Sequence, residues 1–347
     1  MRLRRAHKGD NITFRPRTSL LPCVGIGGLN HLTIDWSVEG RTYPVERWPR
    51  LGLLPEGSSM RLSMATLDQF LLVGWERIGL PSEPMFRLIR ARRIAGQLGQ
   101  WRRRRQQAEE IRRTSRYGKL IDQGIGYFLF TPDFLPEIGP AVAEAASLFE
   151  KKRSKMNTGE AKKPFFANLM TADDIDNCPA IMALAYHPAM FEACAGYLGT
   201  YPKLRSIGVY VSVANTSLRQ SQMFHYDTND LNQIKCFINV SDVGEKNGPF
   251  TFLPADKSRA LNLSWRGGRQ ADEKVFAKMP SDNLIALEGP AGTGGFIDTS
   301  RCLHYGSRCR EGYRLVLMIQ YTPEPDLSMD PGKYAKKGTP VLVPQGH

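Results

Sequence analysis

The sequence has little histidine and cysteine and no long hydrophobic run. Each of the two residue types occurs six times in 347 residues, and no two cysteines form a CxxC pair. The chain therefore indicates neither a structural zinc site nor a dithiol redox motif, and we expect reduced, mostly buried thiols. No stretch offers the roughly 18 uninterrupted apolar residues of a transmembrane helix. The basic start, MRLRRAHKGDNITFRPR, is not followed by an apolar segment and cleavage site, so we predict a cytoplasmic protein.

Positive charge is concentrated in one segment. The formal net charge is +13, and residues 87–116 contribute +9 of it through eleven arginines against Glu109 and Glu110. Such a segment could neutralise nucleic-acid phosphates or anionic lipid. It has one aromatic residue, Trp101, and neither a pattern of interleaved aromatic residues nor a known binding motif, so we favour a solvated helix face and consider a nucleic-acid partner unlikely.

Breakers and periodicity divide the chain into three parts. Residues 1–116 form an N-terminal extension, first irregular with a hairpin near His31 to Trp36 that turns at Glu39 and Gly40, then helical over 63–79 and 85–116. Residues 117–330 contain predicted helices, up to about residue 152 and over 181–199, and then many short strands. Residues 331–347 form a tail. This order predicts a β-rich α+β jelly-roll or barrel core with helices packed outside it. The strands are predicted at 206–214, 222–227, 234–240, 250–253, 294–298 and 314–321.

One triplet stands out within the predicted strands, His225-Tyr226-Asp227. About 0.6 such H-x-[DE] triplets are expected by chance in this composition, so its context has to support it. In a strand, residues two apart share a face, so both side chains can reach one ion. His304, after the strand-like 295–298, is the best third ligand. Two imidazoles and one carboxylate suit Fe(II) with open positions, although a zinc hydrolase could use the same set.

Arg314 follows His304 by ten residues and opens the last predicted strand. A guanidinium at that point can bind a carboxylate bidentately and so anchor the far end of a keto-diacid such as 2-oxoglutarate. The ordered set favours an oxygenase over a hydrolase, since hydrolysis needs no anchor for a keto acid.

The segment from about Tyr117 to Pro323 resembles the phytanoyl-CoA dioxygenase-like family of Fe(II)/2-oxoglutarate oxygenases. FHYD, INVSDVGEKNGPFTFLPADKS, GFIDTSRCLHYGS and the helix HPAMFEACAGYLG carry the likeness. The resemblance implies a double-stranded β-helix (jelly-roll, cupin-like), Fe(II) held by His225, Asp227 and His304, and 2-oxoglutarate bound by Arg314. It also implies use of O2 and hydroxylation of a C–H bond. Asp227 favours hydroxylation over halogenation, because the related halogenases replace this carboxylate to make room for chloride.

Further candidates surround this set. The family often has Ser two positions after the distal His, where this chain has Gly306; Ser307, one position later, is the candidate for the hydroxyl contact to 2-oxoglutarate. Lys235 either points toward the co-substrate or is a partly buried structural residue. Gln222 either bonds in the pocket or lies on a strand face.

Three function classes remain open from the sequence: an oxygenase of a small metabolite, which we favour; a nucleic-acid demethylase of the same superfamily; and a ligand-binding pseudoenzyme. The demethylase is motivated by the arginine cluster of residues 87–116, but the chain lacks the Asn-x-Tyr segment of that group. We expect the substrate to be a small molecule selected by residues 1–116, the loop 153–180 and the insertion 262–280, since rim segments rather than ligands set specificity in such folds. The sequence makes no prediction of oligomeric state.

Overall fold

The computed structural model describes residues 37–38, 41–42, 68, 82–153, 165–175, 177–263, 268–325 and 327. By its internal contacts the chain divides into two units, residues 1–61 and 62–347. In the first unit, Ser37–Val38 (β1) and Arg41–Thr42 (β2) pair antiparallel on either side of the predicted turn. The strand predicted at 31–36, most of the helix at 63–79, the loop 154–163 and the tail lie outside the described residues; Asp68, within the predicted helix, is helical.

The second unit combines helices with short antiparallel strands. Its strands are Tyr127–Phe130 (β3), Ala167–Asn168 (β4), Lys203–Val213 (β5), Ile234–Asn239 (β6), Thr251–Phe252 (β7), Ile285–Ala286 (β8), Gly294–Asp298 (β9), His304–Tyr305 (β10) and Tyr313–Thr322 (β11). Its α-helices are Ser82–Ala95 (α1), Leu98–Thr114 (α2), Ile138–Lys152 (α3), Ala172–Ile175 (α4), Pro179–Ala185 (α5), Pro188–Leu198 (α6), Ala255–Ala260 (α7) and Asp272–Phe276 (α8). Among the described residues, no helix is long and apolar enough to cross a membrane.

The strands form two sheets. The larger has six strands in the order β3-β9-β6-β11-β5-β4, and the smaller has three in the order β10-β7-β8; every pairing is antiparallel. Strand β11 lies at the centre of the larger sheet, with Arg314 opposite Ser212 on one side and Gln320 opposite Lys235 on the other. The predicted strands at 234–240, 250–253, 294–298 and 314–321 are confirmed to within about one or two residues, the usual uncertainty of element ends.

The alternation of side chains along β6 and β11 determines what faces the site. Apolar residues on one face of these strands pack against the helices in the main core: Ile234, Cys236, Ile238, Leu315, Leu317, Ile319 and Tyr321. Helix α3 buries a matching stripe at helical spacing: Ile138, Ala141, Ala145, Leu148 and Phe149. The intervening residues, including Lys235, Phe237, Arg314 and Val316, therefore lie on the opposite face of the sheet, where Phe237 and Val316 pack with the smaller sheet in a second cluster.

Two predicted helices are each divided in the structure. The helix predicted at 85–116 is two helices, separated at Gly96 and Gln97, because glycine disfavours a helix interior and Gln97 leaves the helical region with φ −142° and ψ 39°. The helix predicted at 181–199 divides before Pro188, whose preceding residue His187 is extended at ψ 133°. Its predicted end at Gly199 is confirmed, in the left-handed conformation with φ 67°.

The strand predicted at 222–227 is wrong. Gln220–Gln222 form a 3-10 turn, and the residues after it make only isolated bridges, Phe224 with Gln270 and His225 with His304. The metal-motif segment is thus extended but held by single pairs, because no neighbouring strand continues beside Tyr226 and Asp227 among the described residues.

The arginine-rich helix α2 packs one side on the protein and exposes the other. Ala108 is buried, and the Arg104 guanidinium donates to the Tyr201 carbonyl at 3.1 Å. Exposed arginines pair with the two acids of the helix, Arg105 with Glu109 and Arg113 with Glu110. This arrangement agrees with the solvated face that the sequence predicted.

Candidate active site

The smaller sheet brings two distant histidines together. His225 and His304 form an antiparallel bridge in which each backbone N–H donates to the other's carbonyl, at 2.9 and 3.1 Å. Both side chains of such a pair lie on the same face, and the two imidazole centroids are 4.4 Å apart. The pairing at β10 thus places the imidazole of His304 beside that of His225.

Asp227 completes the cluster. Its backbone N–H donates to the Thr299 carbonyl at 2.9 Å, which ties the end of the His-x-Asp segment to the turn after β9. One ligand atom from each of His225, Asp227 and His304 lies within 4.8 Å of the other two. The three side chains therefore lie close enough together to be ligands of one ion, although the strand predicted to carry two of them is absent. Their role as metal ligands stays a prediction.

Hydrogen bonds orient both imidazoles for ligation. His225 Nδ1 lies 2.9 Å from the Met223 carbonyl and His304 Nδ1 lies 2.8 Å from the Cys302 carbonyl. Because a carbonyl only accepts, each Nδ1 must carry the proton, and each Nε2 keeps its lone pair for a metal. Burial lowers the pKa of both rings, that of His304 to about 3, with the neighbouring His225 adding to the effect. Both imidazoles are therefore neutral at physiological pH, as ligands must be.

Asp227 is kept ionised by a neighbouring cation. Burial by itself would raise the pKa of this carboxyl, but the Lys235 ammonium beside it holds that pKa well below its usual range. Lys235 Nζ lies 2.7 Å from Asp227 Oδ2, and the two side chains are only 14% and 18% exposed. The sequence placed Lys235 near the site without assigning a partner; the structure directs its ammonium to the candidate metal carboxylate.

Arg314 lies buried, 3% exposed, on the same face of the larger sheet as Lys235. Its Nη1 donates to the Gly248 carbonyl at 2.8 Å, whereas Nη2 is 3.5 Å from the hydroxyls of Ser212 and Ser307, and Nε has no hydrogen-bond partner. No carboxylate of the described residues pairs with it. Burial lowers its pKa to about 10. A buried guanidinium with incomplete hydrogen bonding is a favourable binding site for an anion, which would supply the missing acceptors.

Ser307 and Gln222 differ in how far protein groups occupy their side-chain hydrogen-bonding positions. Ser307 stands at φ 64° and its hydroxyl accepts from Ser212 Oγ at 3.0 Å, beside Arg314. The Gln222 amide donates to Asn215 Oδ1 and the Ser307 carbonyl, and its oxygen accepts from the Ser217 hydroxyl and the Arg219 N–H. All four hydrogen-bonding positions of the Gln222 side chain are occupied by protein groups. Gln222 therefore holds the loop that carries Ser307, through its bond to the Ser307 carbonyl.

Two residues beside the site were not predicted from the sequence. Ser212 faces Arg314 through the β5–β11 register, which no local pattern reveals. The Phe250 ring lies 5.2 Å from the His304 ring, and it follows the NGP turn that the sequence could have indicated as close to the site. Phe224, next to His225, is fully buried against Tyr305, and Cys302 and Cys309 are buried free thiols, as expected for the cysteines of this chain.

No protein-family model matches the chain, and no curated protein matches it. Several solved structures resemble it. The epimerase SnoN, in complex with Fe3+, alpha ketoglutarate and nogalamycin RO, aligns with a TM-score of 0.45 and 17% identity over 65% of this chain and 91% of that one. The alpha ketoglutarate-dependent carbocyclase SnoK from nogalamycin biosynthesis gives 0.42 and 15% over 61% and 86%.

HygX from Streptomyces hygroscopicus, with nickel and 2-oxoglutarate bound, gives a TM-score of 0.42 and 14% identity over 60% of this chain and 87% of that one. Resemblances at this level are distant. What the present chain does must therefore follow from its own residues.

Proposed function

We propose that this chain is a non-haem Fe(II)/2-oxoglutarate-dependent oxygenase. The observation that carries the proposal is the convergence of His225, Asp227 and His304, with both Nε2 atoms free of the Nδ1 hydrogen bonds. This cluster contacts Lys235, which lies on the face of the larger sheet that also bears the buried Arg314. Two neutral imidazoles and one carboxylate are the ligand set of mononuclear Fe(II) oxygenases, which leaves positions open for a co-substrate and dioxygen.

The ligand residues fit a divalent metal in charge as well as in spacing. The carboxylate is ionised and both imidazoles are neutral, so no proton has to be displaced before a cation binds at physiological pH. The Nδ1 bonds to main-chain carbonyls fix both rings and raise the basicity of Nε2. When bound there, iron together with 2-oxoglutarate and O2 supplies oxidative decarboxylation to succinate and CO2, coupled to oxidation of a C–H bond.

Arg314 and the hydroxyls of two serines supply the groups that would bind the co-substrate. A dicarboxylate can receive charge-assisted hydrogen bonds from the guanidinium and neutral ones from Ser212 and Ser307, which satisfies polar groups that the protein leaves weakly paired. This is the reason to prefer an oxygenase to a zinc hydrolase, since hydrolysis gives such an anion site no role. Lys235 lies nearer the metal end of the pocket and serves as a second cation there.

We infer further that the two sheets form the jelly-roll of the phytanoyl-CoA dioxygenase-like family and that the reaction is hydroxylation of a small molecule. Asp227 supports hydroxylation over halogenation, because its carboxylate fills the position that chloride would need. The paired and solvated arginines of α2 give no support to a nucleic-acid substrate. We retain residues 117–330 as the oxygenase domain and the cytoplasm as the location of the protein.

An anaerobic titration tests the class. Fe(II) added with 2-oxoglutarate should produce a weak visible charge-transfer band at one iron per chain. Iron bound stoichiometrically with no band would contradict the proposal. A screen of metabolite extracts for substrate-stimulated succinate release then identifies the substrate, and a signal that appears only with alkylated single-stranded DNA or RNA would favour the demethylase instead.

A further inference from the structure

We propose that Arg90 of the N-terminal helix α1 is a positioning residue for the candidate metal ligand Asp227. The inference rests on the function proposed above. It assigns a role to one arginine of the cluster that the sequence singled out and that the site has not used. A continuous set of hydrogen bonds leads from α1 to the loop that follows Asp227.

Asp230 is the centre of this set. Its carboxylate is completely buried and receives the Arg90 guanidinium and the backbone N–H of Leu231 on Oδ1, and the N–H of Leu327 on Oδ2 at 2.9 Å. Arg90 also donates from Nη1 to Asn232 Oδ1 at 3.0 Å. A buried carboxylate without its cation is strongly unfavourable, so Arg90 determines whether this loop can keep Asp230 inside.

Ser300 connects Asp230 to Asp227. Its hydroxyl lies 2.7 Å from the Asp230 carbonyl and 3.0 Å from the Asp227 carbonyl, and it accepts from the Gln233 amide at 3.1 Å. One hydroxyl proton shared between two carbonyls holds both ends of the loop at a fixed separation. With the Asp227 N–H bound to the Thr299 carbonyl, the main chain of the metal ligand is held on both sides of its Cα.

Apolar packing holds α1 against the same loop. Met85, Phe86 and Ile89 of the helix are buried with Leu327, and Leu231 packs against them. The part of α1 that leads into Arg90 is thus anchored, and the guanidinium reaches Asp230 from a packed helix rather than from a loop. Displacement of Asp230 would be transmitted over three residues to Asp227.

The chain supplies two matched controls. Arg87, one turn earlier on α1, is exposed and pairs with Glu83 on the same helix. Arg104 on α2 anchors its helix through the carbonyl of Tyr201, which lies just before β5 and not in the loop after Asp227. Arg87→Met removes an equal charge from the same helix, and Arg104→Met removes an equal anchor elsewhere.

The experiment is an anaerobic Fe(II) titration of the full-length chain in saturating 2-oxoglutarate, read from the charge-transfer band, with Tm measured in parallel. Arg90→Met should weaken Fe(II) binding by about tenfold or more, the usual effect of losing a group that supports a metal ligand. Both control variants should bind Fe(II) within about twofold of the unmodified chain, even where Arg104→Met lowers Tm. Arg90→Lys, which restores the charge without the second hydrogen bond, should recover part of the affinity.

The outcomes separate the two proposals. If the unmodified chain binds no Fe(II) or gives no band, the proposed function fails. If it binds and Arg90→Met binds as tightly as Arg87→Met, the function stands and the positioning role is overturned. Should Arg90→Met not yield folded protein, Arg90→Lys against the two controls decides in the same way: weakened binding with normal Tm supports the role, and unchanged binding overturns it.

Discussion

The ammonium of Lys235 lies 2.7 Å from Oδ2 of Asp227, the carboxylate that we assign to the metal. Lys235 lies on β6 and Asp227 in the extended segment before it, and the pair is largely buried. In the protein without metal, this contact gives the buried carboxylate a cation. The same ammonium repels a divalent ion that approaches the carboxylate, so Lys235 stabilises the empty site and opposes its occupation.

Lys235→Met should therefore lower the stability of the metal-free protein and raise its affinity for a divalent metal. Without metal, the variant should lose about 3 kcal/mol of unfolding free energy, because Asp227 stays buried without its partner. With a divalent metal bound, the loss should shrink, since the ion supplies the missing charge. Calorimetric unfolding with and without Co(II), a redox-stable substitute, measures both values. An equal loss in the two states would contradict this account of the contact.

Removal of a ligand should abolish iron binding. His225→Ala, Asp227→Ala and His304→Ala each leave two of three donors, and metal content after Fe(II) loading and desalting measures the result. His187→Ala is the matched control: this histidine caps α6 through a bond from the Ala189 N–H, so its loss should cost about 1 kcal/mol of stability and leave iron binding intact. Full iron content in any of the three ligand variants would remove that residue from the site.

Arg314→Met should separate co-substrate binding from folding. The dissociation constant for 2-oxoglutarate should rise by about 10- to 100-fold, because a charge-assisted pair is lost, while Fe(II) still binds. The protein without ligands should become more stable by about 1–3 kcal/mol, since a buried, incompletely paired charge is replaced by an apolar side chain. Isothermal titration and denaturant unfolding measure the two effects.

Arg310→Met is the control, since Arg310 is an exposed arginine in the loop just before β11, and this change should alter neither quantity. Normal 2-oxoglutarate affinity in Arg314→Met would move the anchor to Lys235, the other cation on that face of the sheet.

The metal-free protein should lose stability as the pH falls from about 6.5 toward 3. His304 has a pKa near 3 in the folded chain against 6.5 for a free imidazole, so the unfolded chain takes up a proton over this range and the folded chain does not. The stability contributed by the neutral ring is complete above pH 6.5 and lost toward pH 3, on the order of 4 kcal/mol in total. Denaturant unfolding across this range measures the loss. The slope of unfolding free energy against pH gives the number of protons taken up on unfolding, and His304→Gln should reduce that number by about one. An unchanged slope in the variant would contradict the assignment.

The sequence by itself indicated the candidate ligand set and its order because that information is local. The strand-like runs at β9 and β11, the His-x-Asp triplet, and the distances along the chain to His304 and Arg314 can all be read without knowing any pairing. The helix boundaries at Gly96 and Pro188 were also local signals, carried by residues that disfavour a continuous helix, but the helical periodicity on either side of them outweighed these signals in the prediction.

The tertiary structure alone decided which groups surround those ligands. Ser212 meets Arg314 through a strand register set by residues about a hundred positions apart, Lys235 turns to Asp227, and Arg90 reaches Asp230 from a helix outside the recognisable segment. Such contacts depend on how sheets and helices pack, and packing is the summed result of many burial and pairing energies over the whole chain rather than of any short pattern. The candidate site residues could therefore be read from the sequence, and the residues that hold them in place could not.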